Sequence, residues 1–473
     1  MRIDFIDIKL NDCNVIYKQL YSFIKGKIIT GEYSQGDVLP SSRKLATVMN
    51  ISRTSVVNAY NLLIAEGYVS AIAGSGHVIN ALPIAKYECR KNKTMNKVRS
   101  RRFLPFNPEP VDLSLTASRR WAMTTSKIGR ENAVNIFSLY QNEKFGYIGL
   151  RESISKYLYE LKGIECVPEQ IFITSGTMES IELCVNLLTS SKSSLGIEDP
   201  CYPPILHFFS RSNRKLNFMH IDQNGANPNS LSSECKAAII TPGSQFPLGI
   251  TMSTKRKINF IEWAEKNDGW IFEDSYDSEL NDYGKREKTI FSMDRNGRTI
   301  YFGGFSRVLI SELRVGYFIL PISLISTFLN IEYSSKVSSL PQIILSEFIN
   351  SGEFYQNLVK IKKICRKKKK YFVMLLNECL SNYGQAYDNR SGSFVVFVLK
   401  RSLPDNIISL YAKEKGIDLR AISTMSHNSG VNGWLMGFIY LSIDILRKSV
   451  FILKDILSTY CTMHNIDQEN TKL

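Results

Sequence analysis

The chain has 473 residues, a formal net charge of +15 and nine cysteines. Its length exceeds what one hydrophobic core usually supports, so we expect more than one domain. The cysteines lack a paired CxxC spacing, which argues against a disulfide or zinc framework. The stretch MRIDFIDIKLND is no signal peptide, and no apolar run reaches membrane-spanning length. We therefore expect a cytoplasmic protein with reduced thiols, no metal site and no membrane partner.

Residues 15–65 have the apolar spacing of a small helical domain. A first helix is predicted over Val15–Thr30, where apolar residues recur every three or four positions. Ser41 and Ser42 after Pro40 indicate the start of a second helix, and Ser52 caps a third. The second and third helices are predicted to share one buried seam, made of Leu45, Val48, Ile51, Val56, Ala59, Leu62 and Leu63.

A short hairpin is predicted directly after these helices. Gly67 ends the third helix, and two apolar runs then flank Gly74-Ser75-Gly76. Such runs joined by glycines predict a two-strand wing. Together with the helices, the wing completes a mainly α winged helix-turn-helix domain over residues 1–80.

The third helix opens with short hydroxyl donors and a guanidinium, which suit contacts with DNA phosphates and base edges. The second helix begins with a similar pair, where backbone N–H groups also favour a phosphate. The alternative, an ordinary polar surface, does not explain why turn, cap, wing and donors occur in the right order. The candidate DNA-binding residues are Ser42, Arg43, Ser52, Arg53, Thr54 and, at the wing tip, Gly76.

Residues 16–80 resemble the DNA-binding domain of the GntR superfamily, and in particular its MocR branch. The resemblance rests on Ile16-Tyr17-Lys18-Gln19-Leu20, the Gly31 to Gly36 turn, LPSSRKLA, and the ending AEGYV…GSG. It implies double-stranded DNA as a partner. In that branch the head precedes a large domain built like a fold-type I, pyridoxal-phosphate-dependent aminotransferase.

Residues 81–106 are predicted to form a basic linker. They hold eight basic side chains and one acidic one, and the run FLPFNPEP disfavours regular structure. A passive tether and a segment that grips DNA phosphates are equally open.

From residue 107 to 473, short apolar runs alternate with amphipathic stretches. Strands are predicted near residues 171–174, 237–241, 270–273 and 299–302, and helices near 178–189, 255–266 and 343–360. This alternation predicts a mostly parallel α/β sheet with its site at the strand ends. From about residue 375 the mixture indicates a smaller α+β lobe. Residues 360–370 hold eight basic side chains, which we interpret as a solvated helix face rather than a DNA contact.

Residues 135–460 resemble a fold-type I aminotransferase. Four landmarks carry the resemblance: Phe145-Gly146-Tyr147, Ser175-Gly176-Thr177-Met178, Glu198-Asp-Pro-Cys-Tyr202 and Thr241-Pro-Gly-Ser-Gln-Phe-Pro-Leu-Gly249. A fifth, Glu273-Asp274-Ser275-Tyr276, follows a predicted strand. The resemblance implies a homodimer, which would also match paired DNA half-sites.

The resemblance also implies roles in binding pyridoxal phosphate. Gly176 and Thr177 would hold the phosphate at a helix start. Tyr202 would stack on the ring, and Asp274 would face the ring nitrogen. Tyr276 would bond the phenolic oxygen, and Arg314 would bind the phosphate.

One position breaks the family pattern. The family places its Schiff-base lysine directly after the serine of Tyr301-Phe-Gly-Gly-Phe-Ser306, and this chain has Arg307 there. No lysine occurs between Lys288 and Lys336. A guanidinium stays protonated at any working pH, so it cannot serve as the nucleophilic amine. Gly304 also stands where a hydroxyl residue normally helps bind the phosphate.

We therefore expect a DNA-binding transcriptional regulator that is not an enzyme. Its pocket either holds pyridoxal or pyridoxamine phosphate non-covalently, through the residues above and Arg307, or has been repurposed for dimerisation or another small-molecule effector. Two competing interpretations are a pyridoxal-phosphate-dependent aminotransferase with an attached DNA-binding domain, and a DNA-binding dimer with an empty vestigial pocket.

Overall fold

The computed structural model describes residues 15–73, 76–81, 103–109, 118–131, 144–212, 214–276, 279–280, 288–309, 313–332, 335–387, 389, 391–428 and 430–464. Contacts between Cα atoms divide the chain into two compact units, residues 1–100 and 101–473. Most of the predicted linker, residues 82–102, lies outside the described residues.

The first unit contains a three-helix head with a small sheet. Its described elements are α1 (Ile16–Ile29), β1 (Val38–Leu39), α2 (Ser42–Val48), α3 (Arg53–Ala65), β2 (Val69–Ile72) and β3 (Gly76–Ile79). The wing strands β2 and β3 pair antiparallel, as predicted. The structure adds β1, which pairs with β3 and makes the sheet three-stranded. Two residues are too short a run for the sequence pattern to identify as a strand.

The buried seam of the head is narrower than predicted. Val48 and Leu62 are wrong as seam residues, because they are 66% and 37% exposed. Instead Tyr60 is buried, and its hydroxyl donates to the Pro40 carbonyl at 2.8 Å. A tyrosine ring can pack in a core when its hydroxyl finds an acceptor. Tyr60 therefore extends the stripe that Val56 and Leu63 begin.

The second unit is built on an eight-stranded sheet. Its described helices and strands up to the small lobe are α4 (Ser118–Glu131), α5 (Ile148–Lys162), β4 (Ile171–Thr174), α6 (Thr177–Leu188), β5 (Ser194–Asp199), α7 (Pro203–Ser210), β6 (Leu216–Asp222), β7 (Gly225–Ala226), β8 (Cys235–Ile240), α8 (Thr254–Lys266), β9 (Trp270–Asp274), α9 (Ile290–Met293), β10 (Thr299–Gly304), β11 (Gly316–Ile319), α10 (Ile325–Leu329), α11 (Ser339–Asn350) and α12 (Glu353–Leu380). The strand order is β4-β11-β10-β9-β8-β5-β6-β7. Strands β10, β9, β8, β5 and β6 are mutually parallel, so their carboxyl ends meet at one edge.

The prediction of one helix over residues 343–360 is wrong. The structure has α11 and α12 there, separated by Ser351 and Gly352. Gly352 has a φ of +80°, a left-handed conformation that glycine adopts easily and that ends a helix. On α12, Ile361 and Cys365 are buried and Lys363 and Lys367 are exposed, which places a basic face towards solvent.

A four-stranded antiparallel sheet forms the predicted smaller lobe. Its elements are β12 (Gly384–Tyr387), β13 (Phe394–Leu399), α13 (Asp405–Glu414), β14 (Arg420–Ala421), β15 (Gly433–Gly437) and α14 (Ile443–Met463), with strand order β12-β13-β15-β14. Residues 103–109 dock on this lobe. Phe106 is fully buried and stacks on Phe372 at 5.4 Å between ring centroids. Among the described helices, none is long and apolar enough to cross a membrane.

Candidate functional site

A cavity of about 410 Å³ lies where the strands of the large sheet end. Ser175 follows β4, Glu198 is the last residue but one of β5, Thr241 follows β8, Asp274 ends β9 and Gly304 ends β10. Open parallel sheets place ligands at this edge, because the loops that follow the strands converge there. The cavity is lined by all seven residues predicted to bind a cofactor, which are Gly176, Thr177, Tyr202, Asp274, Tyr276, Arg307 and Arg314.

The floor of the cavity is acidic. The described residues provide no hydrogen bond to the Asp274 carboxylate. Burial, together with the charges of Glu198 and Glu279, raises the pKa of Asp274 to about 7. Burial likewise raises the pKa of Glu198 to about 7, although Thr241 and Gln245 donate hydrogen bonds to it. A cationic group placed on this floor would relieve the repulsion between the carboxylates.

The guanidinium of Arg307 lines the cavity and is already hydrogen-bonded there. One nitrogen donates to the Tyr276 hydroxyl, and the guanidinium carbon lies 4.8 Å from the centroid of that tyrosine ring. The other terminal nitrogen donates to the Pro108 carbonyl at 3.0 Å. The structure therefore joins the residue at the lysine position to the backbone just downstream of the predicted linker.

The start of α6 forms a second, polar wall. Gly176 is the N-cap and Thr177 the first residue of this twelve-residue helix, whose first N–H groups lack partners within the helix. Gly316 passes so close that a Cβ there would lie 2.8 Å from Gly176 Cα. The Ser175 amide and hydroxyl both donate to Glu179 at 2.7 Å, which removes one amide from use by an anion.

Arg314 provides the positive charge of this polar wall. It adopts a φ of +51°, a strained backbone conformation for a residue with a side chain. Among the described residues its guanidinium has no hydrogen-bond or ion-pair partner. Gly304 lies near the same wall, where an added Cβ would meet nothing closer than Gly316 Cα at 3.8 Å. The site therefore has an available cation but lacks the hydroxyl that the family pattern implies.

Tyr202 lies at the mouth of the cavity and is 42% exposed. Its ring packs edge-on against Phe246 with 5.5 Å between centroids, and Phe246 in turn meets Tyr276 at 5.2 Å. Burial of its hydroxyl raises the pKa of Tyr202, whereas the nearby Arg307 lowers it. This aromatic row provides apolar ring faces beside the charged floor.

A half-buried lysine outside every predicted motif lies beside the cavity residues Ser275 and Glu279. Lys162, at the end of α5, donates to Glu279 at 2.7 Å, to Ser275 at 2.7 Å and to the Tyr301 hydroxyl at 2.9 Å. These contacts pair the Lys162 side chain with one carboxylate and two hydroxyl groups. Only the chain topology brings position 162 beside 275, and no local spacing could have indicated it.

In the head, the predicted caps are present. The Ser55 amide donates to Ser52 Oγ at 3.1 Å, and the Lys44 amide donates to Ser41 Oγ at 3.3 Å. In the protein alone, the Ser52 hydroxyl oxygen therefore caps α3.

The other predicted DNA contacts of the head lie on its surface. Arg43, Arg53, Thr54 and Gly76 are exposed, and Ser42 is half-buried at the start of α2. Neither Arg43 nor Arg53 has a side-chain partner among the described residues. Gly74 and Ser75 of the predicted wing tip lie outside the described residues.

Two family patterns match the chain. Residues 16–79 match the bacterial regulatory proteins of the gntR family, and residues 130–417 match aminotransferase class I and II. The chain is 25% identical over 463 residues to the probable rhizopine catabolism regulatory protein MocR of Rhizobium meliloti, with 93% of each chain covered. It is 27% identical to the HTH-type pyridoxine biosynthesis transcriptional regulator PdxR of Corynebacterium glutamicum, which covers 93% of this chain and 95% of that protein.

Solved structures resemble the second unit. The kynurenine aminotransferase of Pyrococcus horikoshii superposes with a TM-score of 0.67 at 20% sequence identity, covering 76% of this chain and 91% of that one. This likeness confirms the predicted aminotransferase-like fold.

Proposed function

The chain belongs to the aminotransferase class I and II family and joins that domain to a gntR-type head, and from this premise we propose that it is a sequence-specific DNA-binding regulator of the MocR type whose pocket binds a small molecule without transaminating it. One observation carries the proposal. Arg307, at the family's lysine position, is held in the cavity by Tyr276 and Pro108 and offers no amine.

The head is proposed to bind DNA through the start of α3. Arg53 and Thr54 are exposed there, and a helix N-terminus attracts phosphates through its N–H groups and dipole. Arg43 and Ser42 begin α2 in the same way, and Gly76 leaves room for close approach at the wing. Two copies of the chain would present two such heads to paired half-sites, so we propose a homodimer. The described cysteines are all free thiols, as is usual for proteins of the reducing cytoplasm, and we propose that the chain acts there.

The residues of the cavity fit a phosphorylated pyridine held non-covalently. Asp274 would face a protonated ring nitrogen, and its carboxylate has no hydrogen bond among the described residues. Arg314, similarly without a partner there, and the first amides of α6 would hold the phosphate. Tyr202 and Phe246 supply apolar ring faces. We propose pyridoxal or pyridoxamine phosphate as the ligand, with binding weakened by the absence of a hydroxyl at Gly304.

The same residues do not fit the chemistry of transamination. In the family's enzymes the bound ring acts as an electron sink while a protein amine moves protons. Arg307 only donates hydrogen bonds, because its guanidinium does not lose a proton in proteins. Lys162 does not line the cavity and already donates to Glu279, Ser275 and Tyr301, so it does not take the place of the missing amine.

The proposal is tested by adding pyridoxal 5′-phosphate to the purified chain. We expect saturable binding by calorimetry and a raised melting temperature, but no mass increase after borohydride reduction. Arg307→Lys is expected to gain that covalent mass, which would confirm that the lysine position faces the ligand. Turnover of an amino acid by the wild-type chain would contradict the proposal and favour the aminotransferase alternative.

DNA binding is tested separately, by selecting bound fragments from random double-stranded sequences. We expect enrichment of paired half-sites with two-fold symmetry. Binding no tighter than to random sequence would contradict the regulator. Enrichment of a site by a chain that binds no pyridine phosphate would favour the alternative of an empty, vestigial pocket.

A further inference from the structure

We propose that Arg307 is a latch that couples the pocket to the segment leading to the head, and that a ligand with an anionic oxygen releases it. The inference rests on the function proposed above. In a lysine-bearing site this position would serve covalent chemistry. Here the guanidinium donates to the Pro108 carbonyl and to the Tyr276 hydroxyl from two different nitrogens. These nitrogens are held in a fixed planar geometry that a lysine side chain lacks.

The segment that receives this hydrogen bond is fixed to the small lobe. The Asp418 amide donates to the Pro105 carbonyl at 2.9 Å, and the Gly437 amide donates to the Phe106 carbonyl at 2.8 Å. The Tyr440 hydroxyl donates to the Leu104 carbonyl at 2.6 Å. Residues 104–107 therefore move with the small lobe, and the chain continues from them towards the head.

Arg307 belongs to the other side of the cavity. It follows β10 of the large sheet, and its second partner, Tyr276, follows β9 of the same sheet. The Arg307–Pro108 hydrogen bond thus joins the large lobe to a segment carried by the small lobe. Glu109, the next residue, lines the cavity and pairs with Arg420 of the small lobe at 2.9 Å. The end of the docked segment is therefore a wall of the pocket itself.

A ligand can compete for this latch on energetic grounds. Pro108 offers a neutral carbonyl and Tyr276 a neutral hydroxyl. The existing bonds run from a charged guanidinium to these neutral acceptors, whereas an ionised oxygen adds the direct attraction of opposite charges, so the ion pair is the stronger contact. A phenolate, carboxylate or phosphate oxygen beside Tyr276 would therefore draw Arg307 from Pro108. The small lobe, with the docked segment, would then lose one of its ties to the large lobe.

Hydrogen exchange of residues 103–109 tests the latch in the whole chain. The readout is the exchange rate of two backbone amides that stabilise the turn of this segment. The Asn107 amide donates to the Leu104 carbonyl, and the Glu109 amide donates to Asn107 Oδ1. Without ligand, these amides are expected to exchange about fivefold to tenfold faster in Arg307→Met than in wild type, because the variant loses one hydrogen bond to the segment.

The second arm adds pyridoxal 5′-phosphate, with binding measured by calorimetry. Wild type should show faster exchange in 103–109 when the ligand is bound, and Arg307→Met should show no further increase. Arg420→Gln is the matched control, because it removes the exposed ion pair to Glu109 and should keep the ligand response. Far-ultraviolet circular dichroism checks that each variant is folded.

Equal exchange in ligand-free wild type and Arg307→Met would overturn the latch. So would a wild type that binds the ligand without any change in 103–109. If calorimetry finds no binding at all, the ligand class proposed above is wrong, and the ligand-free comparison decides whether Arg307 restrains the segment.

Discussion

The head and the pocket hold their candidate functional residues in opposite ways. The contacts proposed for the head come from one stretch, residues 42–76, and both arginines are exposed and without partners among the described residues. The pocket residues are spread from 176 to 314 and meet only because parallel strands end at one edge. In the pocket, Arg307 already donates to the Tyr276 hydroxyl and to the Pro108 carbonyl. The arginines of the head can therefore contact DNA without breaking a described contact, whereas a ligand that binds Arg307 in the pocket must displace hydrogen bonds that this residue already makes.

The prediction with the largest expected effect tests whether the head and the second unit fold and bind their ligands independently. Leu63 is fully buried in the core of the head, so Leu63→Ala should lower the head's free energy of unfolding by about 2–5 kcal/mol. That is a large share of a small domain's stability. DNA binding should be lost, whereas the melting shift of the second unit with pyridoxal 5′-phosphate should persist, because that unit has its own core. Calorimetry of both transitions is the measurement.

Leu62→Ala is the matched control for this change. Leu62 is the adjacent residue and is 37% exposed, so the same truncation should cost only about 0.5 kcal/mol. Loss of ligand binding in Leu63→Ala would contradict the independence of the two units.

The second prediction concerns the cavity floor. Asp274→Asn should weaken binding of pyridoxal 5′-phosphate about tenfold to one hundredfold, since a hydrogen bond to a charged group contributes about 1.5–3 kcal/mol. The pKa of Asp274 is raised to about 7, so its carboxylate is charged only above that pH. The difference between wild type and variant should therefore be small at pH 5.5 and full at pH 8. Calorimetric titration at both pH values measures it.

Asp222→Asn is the control for this carboxylate. Asp222 pairs with Arg256 at 2.8 Å, and neither residue lines the cavity. Its replacement should leave ligand affinity unchanged at both pH values. Equal affinity of wild type and Asp274→Asn at pH 8 would remove Asp274 from the binding site.

These two regions also differ in how far sequence reasoning reaches. Caps and wing were predictable because helix starts and hairpins follow from neighbouring residues, as Ser52 shows. The parallel sheet followed from alternating strands and helices. The predicted burial of Val48 and Leu62 was wrong, because apolar spacing alone does not set the width of the buried stripe of a helix. Tyr60 is buried instead, since its hydroxyl finds an acceptor in the Pro40 carbonyl.

The site was predictable as a set of residue types but not as a network. The resemblance identified Arg307, yet its bond to Pro108 joins positions 199 residues apart in sequence. Lys162 was missed for the same reason, since its partner Ser275 lies 113 residues further along the chain and Glu279 lies further still. The raised pKa of Asp274 likewise depends on Glu198 and Glu279, which only the fold brings near.

A third prediction sharpens the account of the head. Arg53→Ala should weaken binding to the selected DNA site by about 1–3 kcal/mol if the guanidinium contacts a base, and by less if it only touches phosphate. A base contact would also relax the preference at one position of the site, whereas a phosphate contact would lower the salt dependence of binding. Lys18→Ala removes an exposed charge on α1 and serves as the control. Unchanged affinity of Arg53→Ala at every salt concentration would contradict the contact.

The smallest expected effect is a gain at the polar wall of the pocket. Gly304 does not use a left-handed backbone, and a Cβ there would lie 3.8 Å from Gly316 Cα, so a serine fits without strain. Gly304→Ser restores a hydroxyl beside Arg314 and should tighten binding of pyridoxal 5′-phosphate about twofold to tenfold, the contribution of one hydrogen bond. Gly304→Ala adds the same carbon without the hydroxyl and should leave the affinity near that of wild type. If both variants bind equally well, the gain comes from filled space and the phosphate does not lie against this wall.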